Sequence, residues 1–345
     1  MTTIKDIAKR AHVSIGTVDR VIHNRGRVSR DAEQNVRRAI EELGYKPNIF
    51  ARHLKLARDF SFGVLMPALS QDSRFWQMPA AGIQRALNEL KIHRVQIRFF
   101  HYDRYSHQSF IMAYKNVLEA KIDGLLIAPV LSSAAEQFIT EIPESLPYVF
   151  FDSVIPRSNC LSCIIQDSYL SGRLSAHLMQ LLIRDPGIVA GIRILPEDYH
   201  IDERIRGFKE TFKENGSHPF RVYNAVRGEG RMDFQSLTKQ ILSENKDLRG
   251  IFVSNALTFC VAQYLESHSM KNKIHIIGYD LIKENIHYLK NGYIDFLISQ
   301  QSERQGYQGI YTLFRHVVLK EEVPQRIMIP LDIITQENID FYQTA

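Results

Sequence analysis

TIKDIAKRAHVSIGTVDRV, residues 3–21, reads as two short amphipathic helices joined by a tight turn. Thr3 is placed to cap the first helix, and Asp6 three residues later completes a capping box. Their side chains meet first-turn N–H groups that have no partner inside the helix. Ile4, Ile7, Ala8 and Ala11 then recur at helical spacing and make one face apolar. His12 and Val13 fill the turn, Ser14 caps the second helix, and Val18, Val21 and Ile22 form its inward face. The outward face begins with Ile15, Gly16 and Thr17 and continues to Arg20. A helix presented in this way fits the DNA major groove, where such residues meet base edges and phosphates.

Charge is distributed accordingly. Residues 1–59 hold 13 Lys and Arg against 7 Asp and Glu, whereas the remaining 286 residues carry 30 against 31. The basic excess is confined to the N-terminal segment, as neutralisation of phosphates requires. Asn24-Arg25-Gly26-Arg27 is a polar turn, after which Ser29 caps a third helix. Asp31 and Glu33 lie in its first turn, Val36, Ala39, Ile40 and Leu43 form one face, and Gly44 supplies a stop. Pro47 disfavours helical geometry at Lys46. Asn48 is then placed to cap a further helix over IFARHLKLA, too short to be stable alone.

The run TIKDIAKRAHVSIGTVDRVIHNRGRVS, continued by AIEELGYKPNIFARHLK, resembles the DNA-binding head and hinge of the lac repressor (LacI/GalR) family almost residue for residue. The resemblance implies a homodimer on a pseudo-palindromic double-stranded DNA operator. The second helix of each head would lie in the major groove and the paired hinge helices in the minor groove. On that pattern the DNA-facing residues are Thr3, Ser14, Ile15, Gly16, Thr17, Arg20, Asn24, Arg27, Ser29, Asn48, Ala51, Arg52 and Leu54. Leu54 matches the family's wedge, which inserts at a base step and kinks the duplex. Two positions depart from the pattern. Gly16 stands where a base-reading side chain is usual, and Asp19 replaces a small residue before Arg20, so the operator sequence does not carry over from relatives.

A chain of 345 residues exceeds one small core and implies two or three domains. With 45% hydrophobic and 23% charged residues it is globular. No apolar run approaches the ~18 residues of a membrane span, and the N-terminus reads as a polar helix. A soluble, cytoplasmic protein without membrane contact is therefore expected. Three cysteines agree with a reducing compartment, and the Cys160/Cys163 pair is read as ordinary packing. There is no P-loop, no G-x-S-x-G and no metal-ligand spacing, so neither enzyme activity, cofactor nor metal is expected.

From residue 60 onward short apolar runs alternate with helical patterns. The strand candidates are 61–67, 95–100, 123–130 and 147–152, then 187–195, 221–226, 250–255 and 273–280. Continuous apolar strands joined by helices predict parallel sheets covered on both faces, and the two series predict two similar α/β lobes. Ligands in such sheets sit beyond the carboxyl ends of the strands. Asp152, Asn255 and Asp280 close strand candidates, Gln300 ends the further run DFLISQ, and Arg204 opens the helix RIRGF. Together they offer hydrogen bonds of both polarities, which suits a polyhydroxylated solute. Phe75 and Trp76 follow the first strand and either stack on a sugar face or anchor the next helix.

The second half is also similar, more weakly, to the effector domain of the same family, a type I periplasmic-binding-protein fold. The resemblance implies an effector site at Phe75, Trp76, Asp152, Arg204, Asn255, Asp280 and Gln300, although the family's Asn-Asp motif is here Asn255-Ala256. The expected architecture is a small all-α helix-turn-helix head plus an α/β core of two doubly wound parallel-sheet lobes. Its divisions are a head over 1–46, a hinge helix and linker over 47–58 and an effector-binding and dimerisation domain over 59–345. One lobe comprises about 59–163 plus 297–327 and the other about 164–295 plus 328–345, with crossings near 164, 296 and 328. The expected function is a transcriptional regulator, a repressor, whose operator affinity responds to a small molecule, a sugar or sugar derivative. A nucleobase or partner protein as the effector is the alternative. A transport-type solute-binding protein is a further one, disfavoured by the helix-turn-helix.

Overall fold

The computed structural model describes residues 3–22, 26, 28–44, 58–196, 198–215, 218–228 and 231–343. It divides into two compact units, Met1–Ala57 and Arg58–Ala345. In the first, α1 (Ile4–Arg10), α2 (Ile15–Ile22) and α3 (Arg30–Glu42) enclose Ile7, Ala8, Ala11, Val18, Val21, Val36 and Ala39. The caps read from the sequence are present. Asp6 N donates to Thr3 Oγ1 at 3.4 Å while Thr3 N donates to Asp6 Oδ2 at 2.8 Å. Thr17 N donates to Ser14 Oγ at 3.1 Å, and Ala32 N to Ser29 Oγ at 3.4 Å. The hinge helix expected over 49–57 lies outside the described residues.

The second unit holds two six-stranded sheets of one plan. The first comprises β1 (Phe60–Pro67), β2 (Val95–Tyr102), β3 (Gly124–Ile127), β4 (Tyr148–Phe151) and β5 (Ser162–Ile165). Between them run α4 (Gln77–Leu90), α5 (His107–Glu119) and α6 (Ser132–Glu141). After α7 (Ser168–Leu182) the second sheet begins with β6 (Ile188–Ile194), α8 (Tyr199–Asn215) and β7 (Phe220–Ala225). A small hairpin, β8 (Arg227–Gly228) and β9 (Arg231–Met232), precedes α9 (Phe234–Glu244) and β10 (Leu248–Val253). Then come α10 (Thr258–Ser267), β11 (His275–Tyr279), α11 (Lys283–Lys290) and β12 (Phe296–Ser299). The chain closes with α12 (Ser302–Leu313), β13 (Arg326–Met328), β14 (Asp332–Ile334) and α13 (Ile339–Gln343).

Spatial order is β13-β5-β4-β3-β1-β2 in one sheet and β14-β12-β11-β10-β6-β7 in the other. All pairings within the two sheets are parallel except β12 with β14. The order reverses beside β1 and beside β6, so each sheet has a switch point where a crevice opens at the carboxyl ends. Within the two sheets β5, β12, β13 and β14 escaped the strand candidates, although the run DFLISQ that Gln300 ends falls on β12. β5, β13 and β14 are three or four residues long and exist only by pairing with distant chain. The edge strands β2 and β7 also depart from the continuous apolar pattern and carry exposed positions, since an edge is covered less completely.

The chain passes between the sheets after β5, after β12 and after β13. One side chain joins all three passages. Gln166, on the first, donates its Nε2 to Ser299 O on the second and to Pro330 O on the third, each at 2.8 Å.

Helices meet at glycines in both halves. A Cβ on Gly82 of α4 would stand 1.8 Å from Glu303 O of α12, and one on Gly172 of α7 would stand 2.1 Å from Arg204 O of α8. Only hydrogen fits where two helix backbones approach so closely. Gly172→Ala is expected to destabilise the larger unit by about 1–3 kcal/mol. It should also displace the backbone of Arg204. A thermal unfolding midpoint equal to that of the parent protein would contradict this.

Candidate functional site

The carboxyl ends of the two sheets deliver a cluster of buried polar side chains. Asp72, Arg104, Asp152 and Ser153 come from loops after β1, β2 and β4, and Asp198 and His200 from the loop and helix start after β6. Arg204 comes from the first turns of α8, and Asp280 and Gln300 follow β11 and β12. All of them are buried, with Arg204 only 1% exposed.

The common strand order of the two sheets accounts for two of these positions. β4 and β11 are third in from the same edge of their sheets, and each is followed directly by an aspartate. Asp152 has φ 66° and Asp280 has φ 70°. Aspartate enters this left-handed region more readily than most side chains, and such backbone is typical of functional sites.

Arg204 organises the second half of the cluster. Its guanidinium lies over the Tyr279 ring, 3.9 Å from the centroid. Nη1 donates to Ser254 O at 2.9 Å and Nη2 to Gln300 Oε1 at 2.6 Å. Gln300 in turn donates Nε2 to Asp280 Oδ1 and Oδ2 at 2.9 and 3.1 Å. Gln305 links the halves. It donates Nε2 to Gln300 O at 2.9 Å, and its Oε1 accepts from Asp152 N at 2.8 Å.

Asp198 reaches from the second lobe to the first. Its Oδ1 accepts from Ser153 Oγ at 2.8 Å and lies 2.8 Å from His200 Nδ1. Its Oδ2 is 4.0 Å from Arg104 Nη2. Arg104 Nη1 donates to Asp72 Oδ2 at 3.0 Å, an oxygen that also accepts from Trp76 Nε1 at 3.0 Å, and Tyr105 OH donates to the other oxygen of Asp72. His200 Nδ1 is also 4.0 Å from Asp152 Oδ2.

Burial and charge set the protonation of this cluster. Burial lifts Asp280 to about 7, against the opposing influence of Arg204 and Gln300. Burial likewise raises Asp152, with Asp198 adding to it. Burial acts the same way on Asp198, but His200, Arg104 and the bond from Ser153 outweigh it and hold that carboxyl below its ordinary value. Among the described residues, Arg104 Nε and Nη2, Asp152 Oδ1, Asp198 Oδ2 and Arg204 Nε have no hydrogen-bond partner although all are buried. Buried polar atoms are nearly always met, so five in one cluster point to a missing polar partner. A cavity of about 290 Å³ opens onto Asp152, Ser153 and His200 of this cluster, and its wall also carries Tyr169, Tyr199, the acids Asp167 and Glu203 and the bases Arg206 and Arg326.

Of the residues read from the sequence, Asp152, Arg204, Asp280 and Gln300 meet here. Asn255 stands at its strand end, but its Oδ1 accepts from Leu257 N at 3.0 Å inside its own loop. Phe75 and Trp76 are packed edge to face in the core, 5% and 1% exposed, and Trp76 braces Asp72. Asp72, Arg104, Asp198, His200 and Gln305 were missed. Arg104 and Asp198 do follow strand ends, so that rule, applied to every strand, would have found them.

In the head, Ser14 and Ser29 act as caps, and Thr3 forms the capping box with Asp6. Ile15 is 50% exposed at the start of α2, an apolar side chain held in the open. Gly16 and Arg20 share that exposed surface, and the Thr17 hydroxyl is 2.9 Å from Ser14 Oγ. Asn24, Arg27, Asn48, Ala51, Arg52 and Leu54 lie outside the described residues.

Comparison with known proteins agrees with both halves. Residues 62–321 match the periplasmic binding protein domain, and residues 3–48 match the bacterial regulatory proteins of the lacI family. The chain is 25% identical to the ribose operon repressor of Lactococcus lactis, over 98% of each protein. It is 27% identical to the HTH-type transcriptional repressor PurR of Edwardsiella ictaluri, over 98% of this chain and 97% of that protein. A solved structure from Bacteroides fragilis, classed as a LacI transcriptional regulator, superposes with a TM-score of 0.77 at 27% identity. It covers 83% of this chain and 100% of its own. The chain therefore belongs to the periplasmic binding protein domain family over residues 62–321 and carries ahead of it a domain of the lacI family of bacterial regulatory proteins, which makes it a DNA-binding transcriptional regulator.

Proposed function

We propose that this regulator is a cytoplasmic homodimer that represses from a pseudo-palindromic operator and answers to a sugar or sugar derivative held between its lobes. In this reading the head spans 1–46, the hinge 47–58 and the effector domain 59–345. The set of buried, unpartnered atoms at Arg104, Asp152, Asp198 and Arg204 carries the proposal. They include donors and acceptors in one place, and a hydroxyl is the group that serves both. A cavity of about 290 Å³ lies near the lower end of the range for small-molecule pockets, roughly 300–1,000 Å³. The name of the Lactococcus lactis relative, a ribose operon repressor, agrees with a sugar response. Because Asp198 bonds to Ser153 across the lobes, a ligand here senses their closure, and its different affinity for open and closed forms shifts operator binding.

Asp152, Arg204, Asp280 and Gln300 bind the effector in this reading, while Ile15, Gly16, Thr17 and Arg20 face the major groove and Leu54 is the minor-groove wedge. No helix among the described residues is long and apolar enough to cross a membrane. Genomic footprinting identifies the operators, and thermal shift against a panel of sugars and purine bases tests the effector class. Stabilisation by purines with none by any sugar would overturn the sugar reading.

Asp280 gives a pH-dependent prediction. Its folded value of about 7 exceeds the ordinary 3.8, so the folded state keeps a proton that the unfolded chain loses. Stability from this group therefore falls as pH rises from about 4 to 7 and stays low above that. Asp280→Asn should raise the stability of the ligand-free protein above pH 7 by up to about 4 kcal/mol. The gain should shrink towards pH 4, and effector affinity should fall at least about tenfold. Denaturant titration at pH 4.5 and 8 measures the first, and a gain independent of pH would refute it. In the head, Ile15→Ala should weaken specific operator binding by roughly 1–2 kcal/mol. Non-specific binding should stay unchanged, and an equal loss on random DNA would show that Ile15 reads no base.

A further inference from the structure

We infer that the effector is an uncharged or amino-bearing polyol, and that the site excludes anionic sugars such as sugar phosphates and sugar acids. This rests on the reading of the interlobe cluster as the effector site. The cluster buries four carboxylates, Asp72, Asp152, Asp198 and Asp280, with two guanidinium groups, Arg104 and Arg204, and one imidazole, His200. Above about pH 7, where Asp280 ionises, four carboxylates face two guanidinium groups.

The distribution of partners sharpens this imbalance. Arg104 stands between Asp72 at 3.0 Å and Asp198 at 4.0 Å, so two carboxylates already oppose its charge. Arg204 directs both η-nitrogens to neutral acceptors, Ser254 O and Gln300 Oε1. Asp280 receives the Gln300 amide, and no cationic side chain among the described residues forms an ion pair with it. Asp152 Oδ1 has no partner among the described residues. Arg204 and His200 act on Asp152 and Asp280 through space, with His200 4.0 Å from Asp152, but no cationic donor among the described residues hydrogen-bonds to either carboxylate, and burying a carboxylate without such a bond is costly.

A hydroxyl donates to such a carboxylate while its lone pairs accept from Arg104 Nε, Nη2 or Arg204 Nε. An ammonium adds charge compensation as well. A phosphate or carboxylate does the opposite, bringing a further negative charge among acids that already exceed their partners. The start of α8 could otherwise hold an anion, since helix N-termini do. Asp198 fills it instead, its Oδ1 accepting from His200 N at 3.3 Å.

Isothermal titration calorimetry on the full wild-type chain at pH 7.5, with sets matched in ring and differing in charge, tests the inference. The sets are ribose with ribose 5-phosphate; glucose with glucosamine, glucose 6-phosphate and glucuronate; and galactose with galactosamine and galacturonate. For any ring that binds, the neutral and amino forms should bind at least about tenfold tighter than the anionic forms. An anionic form binding as tightly as its neutral parent overturns the charge inference and leaves the sugar reading intact. Failure of every member to bind overturns both. In Asp152→Asn the ratio between neutral and anionic forms should narrow. An unchanged ratio in the folded variant would show that the buried carboxylates do not cause the exclusion.

Discussion

Taking a guanidinium out of water costs several kcal/mol unless its donors are met and its charge is balanced. Arg204 is 1% exposed, and much of the larger unit is arranged around that demand. Tyr279 gives it an aromatic face, and Ser254 and Gln300 give it acceptors from the ends of β10 and β12. The helix carrying it is held against α7 at Gly172, whose missing side chain lets the backbone at Arg204 come close. Gln300 passes the constraint to Asp280, and Gln305 to Asp152 in the other lobe. One buried cation thus fixes residues from both sheets.

Strand order supplies the geometry for this. The strand order of each sheet reverses beside its first strand, and the third strand from the matching edge of each sheet is followed by Asp152 or Asp280 with nearly equal positive φ. The second lobe adds Asp198, which crosses to Ser153 and Arg104 and makes the cluster a joint property of both lobes. Gln166 binds the three passages between the sheets together at the base of this arrangement. Any change of lobe angle must be accommodated by the same few hydrogen bonds that order the polar cluster. That is the physical basis for coupling a ligand to a conformation.

The candidate site was legible in part. Asp152, Asp280 and Gln300 directly follow apolar strands, so local pattern alone marks them, and Arg204 was marked by the run RIRGF although its helix begins five residues earlier, at Tyr199. Asp72 and His200 carry no such mark. Asp72 becomes a site residue because Trp76, Arg104 and Tyr105 converge on it, and His200 because Asp198 and Asp152 flank it. Pattern left two roles open for Phe75 and Trp76, and packing places both in the core, with the indole N–H on Asp72.

The sequence by itself determined the helix-turn-helix, its caps, its exposed Ile15 and the two-lobed α/β plan, because caps and apolar periodicity act over a few residues. β5, β13 and β14 were decided only in the tertiary structure, since three or four residues make a strand only when a distant neighbour pairs with them. The same holds for the charge balance of the cluster. Its four acids and two guanidinium groups are far apart in the chain, so neither their burial nor the partners they lack has any local signature.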